Sequence, residues 1–139
     1  MKNTFKITAL LFLLGGAVIS TLPSCNKYPD GPELSLRSRS ERVANTWKVD
    51  NYKMNGYDYT SLVTDYRETF SKDGNFSFNW GTSSGTGTWT FQNDDTEIRL
   101  TGVSNQSSHT MTILKLEEKS FWYYFTENND RHEYHMIPQ

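Results

Sequence analysis

The sequence has few of the features that would cross-link it or carry it across a membrane as a helix. Its 139 residues include one cysteine, so no internal disulfide can form and stability must come from buried side chains. No apolar run reaches the roughly 20 residues that a membrane-spanning helix needs. The chain also lacks a phosphate loop, a dinucleotide fingerprint and a Gly-x-Ser-x-Gly turn. We therefore expect one small domain that is not an enzyme and holds no cofactor.

The N-terminal segment differs from the rest of the chain in its hydropathy. Lys2 and Lys6 precede residues 7–19, which are almost wholly apolar. A basic start, a short apolar run and small residues beyond it are typical of a secretory signal peptide. The alternative is a buried helix of a cytoplasmic protein, but a helix that is apolar on every side needs a larger core than this chain supplies. We therefore predict that residues 1–24 are a signal peptide.

The single cysteine follows this segment directly. The sequence Leu22-Pro23-Ser24-Cys25 resembles the lipobox of bacterial lipoproteins, in which a leucine and a small residue precede the cysteine. The resemblance implies cleavage before Cys25, a diacylglycerol on its thiol and an acyl chain on the new amine. Two or more acyl chains anchor a protein stably, at about 0.8 kcal/mol per buried methylene. We expect a lipid-anchored protein of the cell envelope, in the outer membrane, with the leaflet left open.

The segment after Cys25 predicts a tether and then a short helix. Without Lys2 and Lys6 the chain has 12 basic and 16 acidic residues, a net charge of −4, which argues against a nucleic-acid partner. Proline and glycine punctuate residues 25–36, so we interpret them as a lipidated tether. Residues 38–44 fit one or two helical turns at the start of a folded domain over residues 37–139.

From Trp47 onward, apolar and polar side chains alternate with the period of two that half-buried strands show. Turn-forming residues separate eight such runs. Short antiparallel strands with short loops hide their edges best by closing into a barrel. We therefore predict an all-β fold, an eight-stranded antiparallel up-and-down barrel. Its predicted strands are residues 46–54, 66–71, 76–80, 87–91, 97–101, 109–116, 121–126 and 131–137.

Two connections between strands carry specific predictions. A three-residue loop over residues 72–74, with Gly74 in the left-handed conformation, places Phe70 opposite Phe76 on one face of the sheet. The glycine-rich residues 81–87 join two strands and do not open a helix. We therefore interpret them as a long hairpin loop and not as a phosphate site.

The inward face of the predicted barrel is rich in large side chains. The inward set is Trp47, Val49, Phe70, Phe76, Phe78, Trp80, Trp89, Phe91, Ile98, Leu100, Met111, Ile113, Tyr134 and Met136. The run over residues 121–125 is aromatic on both faces, so we expect one face to lie under the N-terminal helical turn, against a partner or near lipid. An eight-stranded barrel is barely wider than its own side chains, so a ligand cavity and a filled interior both remain open.

The order and spacing of several motifs resemble the lipocalin-like domains of small bacterial lipoproteins, over residues 43–138. The motifs are Asn-Thr-Trp at 45–47, Glu-Thr-Phe-Ser-Lys-Asp-Gly at 68–74, Gly-Thr-Trp at 87–89, Met-Thr-Ile-Leu-Lys-Leu at 111–116 and Tyr-His-Met-Ile-Pro at 134–138. The resemblance implies an eight-stranded up-and-down barrel that holds a small apolar ligand.

Two functions from different classes are consistent with these predictions. The first is a binding protein for a small hydrophobic or glycan-derived molecule at the barrel mouth, where aromatic side chains supply contact area at low entropic cost. Its expected ligand-binding residues are Trp47, Phe78, Trp80, Trp89 and Tyr123. The second is a structural or interaction lipoprotein with a filled barrel, whose outer aromatic face docks an envelope protein.

A histidine cluster near the C-terminus does not fit a metal site. His132 and His135 are three residues apart in a predicted strand, so their side chains point to opposite faces and cannot share an ion. The zinc-protease pattern needs histidines four residues apart on a helix. His109 has no adjacent ligand. We therefore expect no metal ion.

Overall fold

The structure, a computed structural model, describes residues 28–29, 36–104 and 107–139. The predicted signal peptide and the predicted lipidation site at Cys25 lie outside these residues. Within the described ranges, no helix is both long enough and apolar enough to cross a bilayer.

The strands of the described residues form one antiparallel sheet that closes on itself. They are β1 (Thr46–Met54), β2 (Tyr57–Asp58), β3 (Arg67–Phe70), β4 (Asn75–Trp80), β5 (Ser83–Gln92), β6 (Glu97–Thr101), β7 (Thr110–Leu116), β8 (Phe121–Glu127) and β9 (Asp130–Pro138). The two-residue β2 pairs only with the end of β1, while β1 also pairs with β3 and with β9. Thus β1 and β3 to β9 form a closed eight-stranded antiparallel barrel, which confirms the predicted fold class.

A short helix, α1 (Arg39–Val43), precedes β1 and confirms the predicted helical turn. Its first turn is fixed by a capping box, in which the Ser38 hydroxyl accepts from the Glu41 amide and the Glu41 carboxylate accepts from the Ser38 amide. Val43 is fully buried, and its carbonyl accepts a 2.8 Å hydrogen bond from Nε1 of Trp47. These contacts fasten α1 to the start of β1.

The two ends of the barrel differ in what covers them. We call the end that carries α1 and the turn between β5 and β6 the closed end, and the end that carries the β4–β5 and β8–β9 turns the open end. Tyr28, in the predicted tether, is 2% exposed, and its hydroxyl donates to the Asp95 carbonyl at 3.0 Å in the β5–β6 turn. The folded unit therefore includes part of the segment that was predicted to be only a tether.

The core fills the closed half of the barrel with large apolar side chains. Members that are at most 2% exposed include Trp47, Phe70, Phe76, Ile98, Leu100, Met111, Leu116, Phe121 and Met136. The aromatic members come from the ends of β1, β3, β4 and β8 that meet near α1, and they pack edge-on or tilted at 5.0 to 5.7 Å between ring centroids. These side chains leave the closed end densely packed.

The hairpin between β3 and β4 has the predicted register. Phe70 lies opposite Phe76, and Gly74 has a φ of 87°, the left-handed conformation that the three-residue loop requires. The Ser71 amide closes the loop by donating to the Asn75 carbonyl at 2.9 Å. Side-chain parity alone was enough to predict this pairing.

The prediction of a long loop over the glycine-rich residues is wrong. The β4–β5 connection is the two-residue turn Gly81–Thr82, and β5 begins at Ser83. Glycine is required within β5 because a Cβ on Gly85 would lie 2.2 Å from the Ser104 carbonyl oxygen. The residues that follow β6 thus pack against the inner face of β5. A side chain at Gly85 would occupy the same space as their backbone.

From the sequence we expected the N-terminal helical turn, a partner or lipid to cover one aromatic face of β8. Side chains of the neighbouring strand β9 instead cover its outward aromatic residues. Trp122 stacks on His135 of β9, with ring centroids 4.0 Å apart and planes at 6°. The Arg131 guanidinium lies 3.6 Å above the Tyr124 ring, a cation–π contact. Both aromatic residues are half-buried, so cross-strand pairs cover much of the outer aromatic face that the sequence predicted.

Candidate functional site

A cavity of about 610 Å³ occupies the open half of the barrel. It lies between the ends of β1 and β8, the starts of β3 and β9, and the connection that follows β2. The described residues that line it are Tyr52, Met54, Tyr59, Leu62, Val63, Tyr66, Glu68, Trp80, Ser107, His109, Phe125, Glu127, His132 and Tyr134. Its volume falls in the range of about 300 to 1,000 Å³ that is typical of small-molecule sites.

The wall of the cavity consists mainly of aromatic rings that pack against one another. The Tyr134 ring lies 4.5 Å from that of Tyr52 and 5.8 Å from that of Tyr66, between centroids. Tyr66 also meets Trp80 edge-on at 6.3 Å. The Tyr52 hydroxyl forms a 2.8 Å hydrogen bond with Nδ1 of His132. Contacts between these rings restrict the rotation of each side chain, which lowers the entropic cost of ordering the wall when a ligand binds.

The rim of the cavity exposes apolar side chains to solvent. Leu62 is 64% exposed and Trp80 is 47% exposed. Trp80 had been predicted to face the barrel interior; it lines the cavity from the end of β4, and almost half of its side chain remains exposed. A ligand that entered here would therefore cover apolar surface that water now contacts.

A buried carboxylate, Glu68 of β3, lies at the inner limit of the cavity. It is 2% exposed and is paired in register with Trp47 of β1 and Phe78 of β4. Its Oε1 accepts hydrogen bonds from the Tyr66 hydroxyl at 2.8 Å and the Tyr123 hydroxyl at 2.9 Å. Its Oε2 has no hydrogen-bond partner among the residues that the structure describes.

Burial changes the acidity of this group. Desolvation raises the pKa of Glu68 to about 7, although the hydrogen bonds from Tyr66 and Tyr123 act in the opposite direction. The carboxyl group therefore changes charge near neutral pH. Burial and the nearby Glu68 carboxylate also raise the pKa of Tyr123, so that its hydroxyl remains a donor.

The ionisable groups around the cavity leave it without a fixed positive charge. Neither lysine nor arginine occurs among its described lining residues, whereas Glu127 adds a second carboxylate at the exposed rim. Burial lowers the pKa of His109, which favours its neutral form. The described lining therefore has no lysine or arginine to offset the charge of Glu68 when it is ionised.

The structure brings only one of the five predicted ligand-binding residues to the cavity surface, Trp80. Phe78 stacks behind the wall on Tyr66 at 6.3 Å, and Tyr123 holds Glu68 from the core side. Trp47 and Trp89 lie in the closed half, where Trp89 donates from Nε1 to the Ser71 carbonyl at 2.9 Å. These two indoles complete the core and do not line the cavity.

Glu68 was missed at the level of sequence, although its position carried a signal. It lies two residues after Tyr66 and two before Phe70, so the period of two that predicts β3 places all three on the inward face. An acidic residue on an inward face is a costly exception that points to a specific role. The hydrogen bond from Tyr123, 55 residues away in sequence, had no local signal.

The histidines take the opposite faces that alternation predicted. His132 lines the cavity, whereas His135 stacks on Trp122 on the outer surface. Within the described part of the chain, no three His, Cys, Asp or Glu side chains lie close enough together to hold a metal ion.

Comparisons with known proteins were made against family models and against curated sequences. Neither comparison gave a match to this chain.

Proposed function

We propose that this chain is a lipid-anchored protein of the cell envelope whose barrel binds a small hydrophobic or glycan-derived molecule in the open-end cavity. The observation that carries the proposal is a cavity of about 610 Å³ walled by aromatic rings, with a buried carboxylate at its inner limit. Largely apolar walls with a few polar groups are typical of ligand sites, because the walls supply affinity and the polar groups supply orientation.

The alternative of a filled barrel that docks an envelope protein has less support. The closed half is filled, as that alternative requires, but the open half contains the cavity. The alternative also relied on an exposed outer aromatic face. Trp122 and Tyr124, which form that face, are half-buried under His135 and Arg131. We therefore favour ligand binding.

Tyr28 supports a particular orientation for an anchored barrel. It is held at the closed end, and Cys25 precedes it by three residues, a reach of at most about 10 Å. Acyl chains on Cys25 would then lie near the closed end, with the cavity mouth directed away from that membrane. On this proposal the ligand arrives from the aqueous side and does not need to be drawn from the anchoring bilayer.

The lipid anchor is tested by removing its attachment site. Cys25→Ala is expected to abolish incorporation of an alkyne-tagged fatty acid in a bacterial host that processes lipoproteins, measured by in-gel fluorescence after click labelling. Ser24→Ala is the matched control, because it keeps a small residue before the cysteine and should leave labelling unchanged. Labelling of Cys25→Ala at the level of the parent chain would contradict the proposed anchor.

The cavity is tested with N-phenyl-1-naphthylamine, a neutral fluorophore whose emission rises in apolar surroundings. A chain that starts at Asn26 is expected to bind it saturably. Ser107→Trp, which adds an indole to an exposed position of the cavity lining, should weaken binding by about tenfold, or about 1.4 kcal/mol.

The control adds the same indole elsewhere. Thr90→Trp places it on an exposed outward position of β5 and should leave the affinity within about twofold, since it touches no cavity residue. Equal weakening by both variants, or no saturable emission in the parent chain, would argue against a ligand cavity.

A further inference from the structure

The unpaired oxygen of Glu68 indicates which chemical group a ligand presents to the inner limit of the cavity. Burying a carboxylate is costly unless donors satisfy its oxygens, and each buried unsatisfied polar atom calls for an explanation. Two tyrosine hydroxyls satisfy Oε1, whereas Oε2 has no donor within the described residues. Because Glu68 lines the cavity, a bound molecule can supply the missing donor.

The surroundings of Glu68 distinguish a charged donor from a neutral one. A hydroxyl would satisfy Oε2 but would leave the buried negative charge without a counterion, at a cost of desolvation. The described lining supplies no lysine or arginine, and Glu127 adds a further negative charge at the rim. The faces of Tyr52, Tyr66 and Tyr134 attract cations through their ring quadrupoles. All of these features favour a cation.

We infer that the cavity selects a molecule with a protonated primary amine, whose ammonium group binds Glu68 while its ring or alkyl body packs against the aromatic wall. This inference rests on the proposed function and specifies its ligand class. A charge-assisted hydrogen bond in a site shielded from water is about twice as strong as a neutral one, so the amine dominates the selectivity.

The inference predicts a dependence on pH that Glu68 controls. Its in-register neighbours, Trp47 of β1 and Phe78 of β4, do not titrate. The ionisable groups that face it are phenols: Tyr66 before β3, Tyr123 of β8 and Tyr134 of β9. Burial raises the pKa of Tyr123 and Tyr134, so both stay neutral at physiological pH. His109, His132 and Glu127 line the same cavity farther out.

The test uses three naphthalene compounds that differ only in their head group: 1-naphthylmethylamine, 1-naphthylmethanol and 1-naphthoic acid. The full chain is reconstituted in phosphatidylcholine nanodiscs, and isothermal titration calorimetry is corrected with discs that lack the protein. At pH 8 the amine is expected to bind at least about tenfold more tightly than the alcohol, and the acid more weakly than either.

The pH series and two variants assign the selectivity to one carboxylate. With a pKa of about 7 the Glu68 carboxylate is mostly ionised at pH 8 and mostly protonated at pH 5.5, so amine affinity should fall by about 30-fold between them. Alcohol affinity should stay within about twofold. Glu68→Gln keeps an oxygen acceptor for the tyrosines and should remove both the preference and its pH dependence. The matched control, Glu118→Gln in the exposed connection between β7 and β8, lies outside the cavity lining and should retain them.

Each outcome bears on a different claim. If all three compounds bind with equal affinity, the amine selectivity is overturned and the proposed binding function stands. If none binds, both are overturned. If amine selectivity persists in Glu68→Gln, the cation lies elsewhere and the assignment to Glu68 is overturned. Should Glu68→Gln fail to fold, the amine-to-alcohol ratio and its pH series in the parent chain decide the question.

Discussion

Replacing Trp47 by alanine is expected to lower the free energy of unfolding by about 4 kcal/mol, the largest single-residue effect that we predict for this protein. Trp47 is fully buried, and its ring lies 5.6 Å from that of Phe121 across the closed half. Truncation removes this contact area and leaves a cavity that the packed neighbours cannot fill. It also leaves the Val43 carbonyl without the 2.8 Å hydrogen bond that fastens α1 to β1.

Urea unfolding of a chain that starts at Asn26, followed by far-ultraviolet circular dichroism, measures the effect. The matched control is Trp80→Ala, because Trp80 is the same residue type but is 47% exposed at the cavity rim. Its loss should cost about 1 kcal/mol or less. Costs that are equal for the two substitutions would contradict the assignment of Trp47 to the packed core.

The two halves of the barrel divide stability from binding. The closed half contains fully buried side chains such as Trp47, Phe70 and Phe121, and it is there that α1 and Tyr28 pack. The open half contains the cavity, the buried Glu68 and the exposed rim. Substitutions at the rim can therefore alter ligand affinity at small cost to the fold, whereas substitutions near α1 should mainly change stability.

The barrel was predictable from sequence because its strands obey a simple alternation. Phe70 and Phe76 face each other through a glycine turn, and parity was enough to choose that register. The closure between β1 and β9 followed from the cost of leaving edges open. Local pattern and global architecture agree in these elements, which is the condition under which sequence reasoning succeeds.

The glycine-rich strand could not be predicted by the same reasoning. Gly85 and Gly87 lie within β5 because backbone atoms after β6 approach the positions that their Cβ atoms would occupy. Glycine in a strand interior can mark such a close approach, but without the position of the β6–β7 connection it is indistinguishable from a loop residue. The missing information was tertiary contact and not local preference.

The candidate site was only partly predictable for a related reason. Aromatic rings do line the open-end cavity, but the sequence could not separate the aromatic residues at the open end, such as Trp80, from those at the closed end, such as Trp89. Each strand runs from one end of the barrel to the other, so position along the strand decides between cavity and core. The described Tyr28 and α1 both lie at the filled end.

The second large prediction concerns how Glu68 couples stability to pH. Its folded-state pKa is about 7, against an ordinary value of 4.5. Between these values the folded protein retains a proton that the unfolded chain releases, so stability falls as the pH rises. Integrated from pH 4.5 to pH 8, Glu68 alone is expected to lower the free energy of unfolding by about 3 kcal/mol.

Other groups make stability rise with pH, opposite to Glu68. The effect of Glu68 is therefore measured as the difference in unfolding free energy between the parent chain and Glu68→Gln. Burial lowers the pKa of His109, and hydrogen bonds lower that of Asp58; both shifts make stability rise with pH. Their contributions cancel when Glu68→Gln is subtracted from the parent chain at each pH. Between pH 4.5 and pH 8, the unfolding free energy of Glu68→Gln should rise by about 3 kcal/mol relative to that of the parent chain. Urea unfolding at each pH measures both values.

A matched variant separates this effect from a general response to losing a carboxylate. Glu127→Gln removes an exposed charge at the cavity rim, and its cost at pH 8 should be less than about 0.5 kcal/mol, as is usual for exposed substitutions. A flat difference for Glu68→Gln would mean that the carboxylate is better solvated than its burial indicates. If 1-naphthylmethylamine abolishes the pH dependence of the stability difference between Glu68→Gln and the parent chain, a bound ammonium supplies the counterion that the cavity lacks. Pairing with the ammonium stabilises the ionised form of Glu68 in the folded protein.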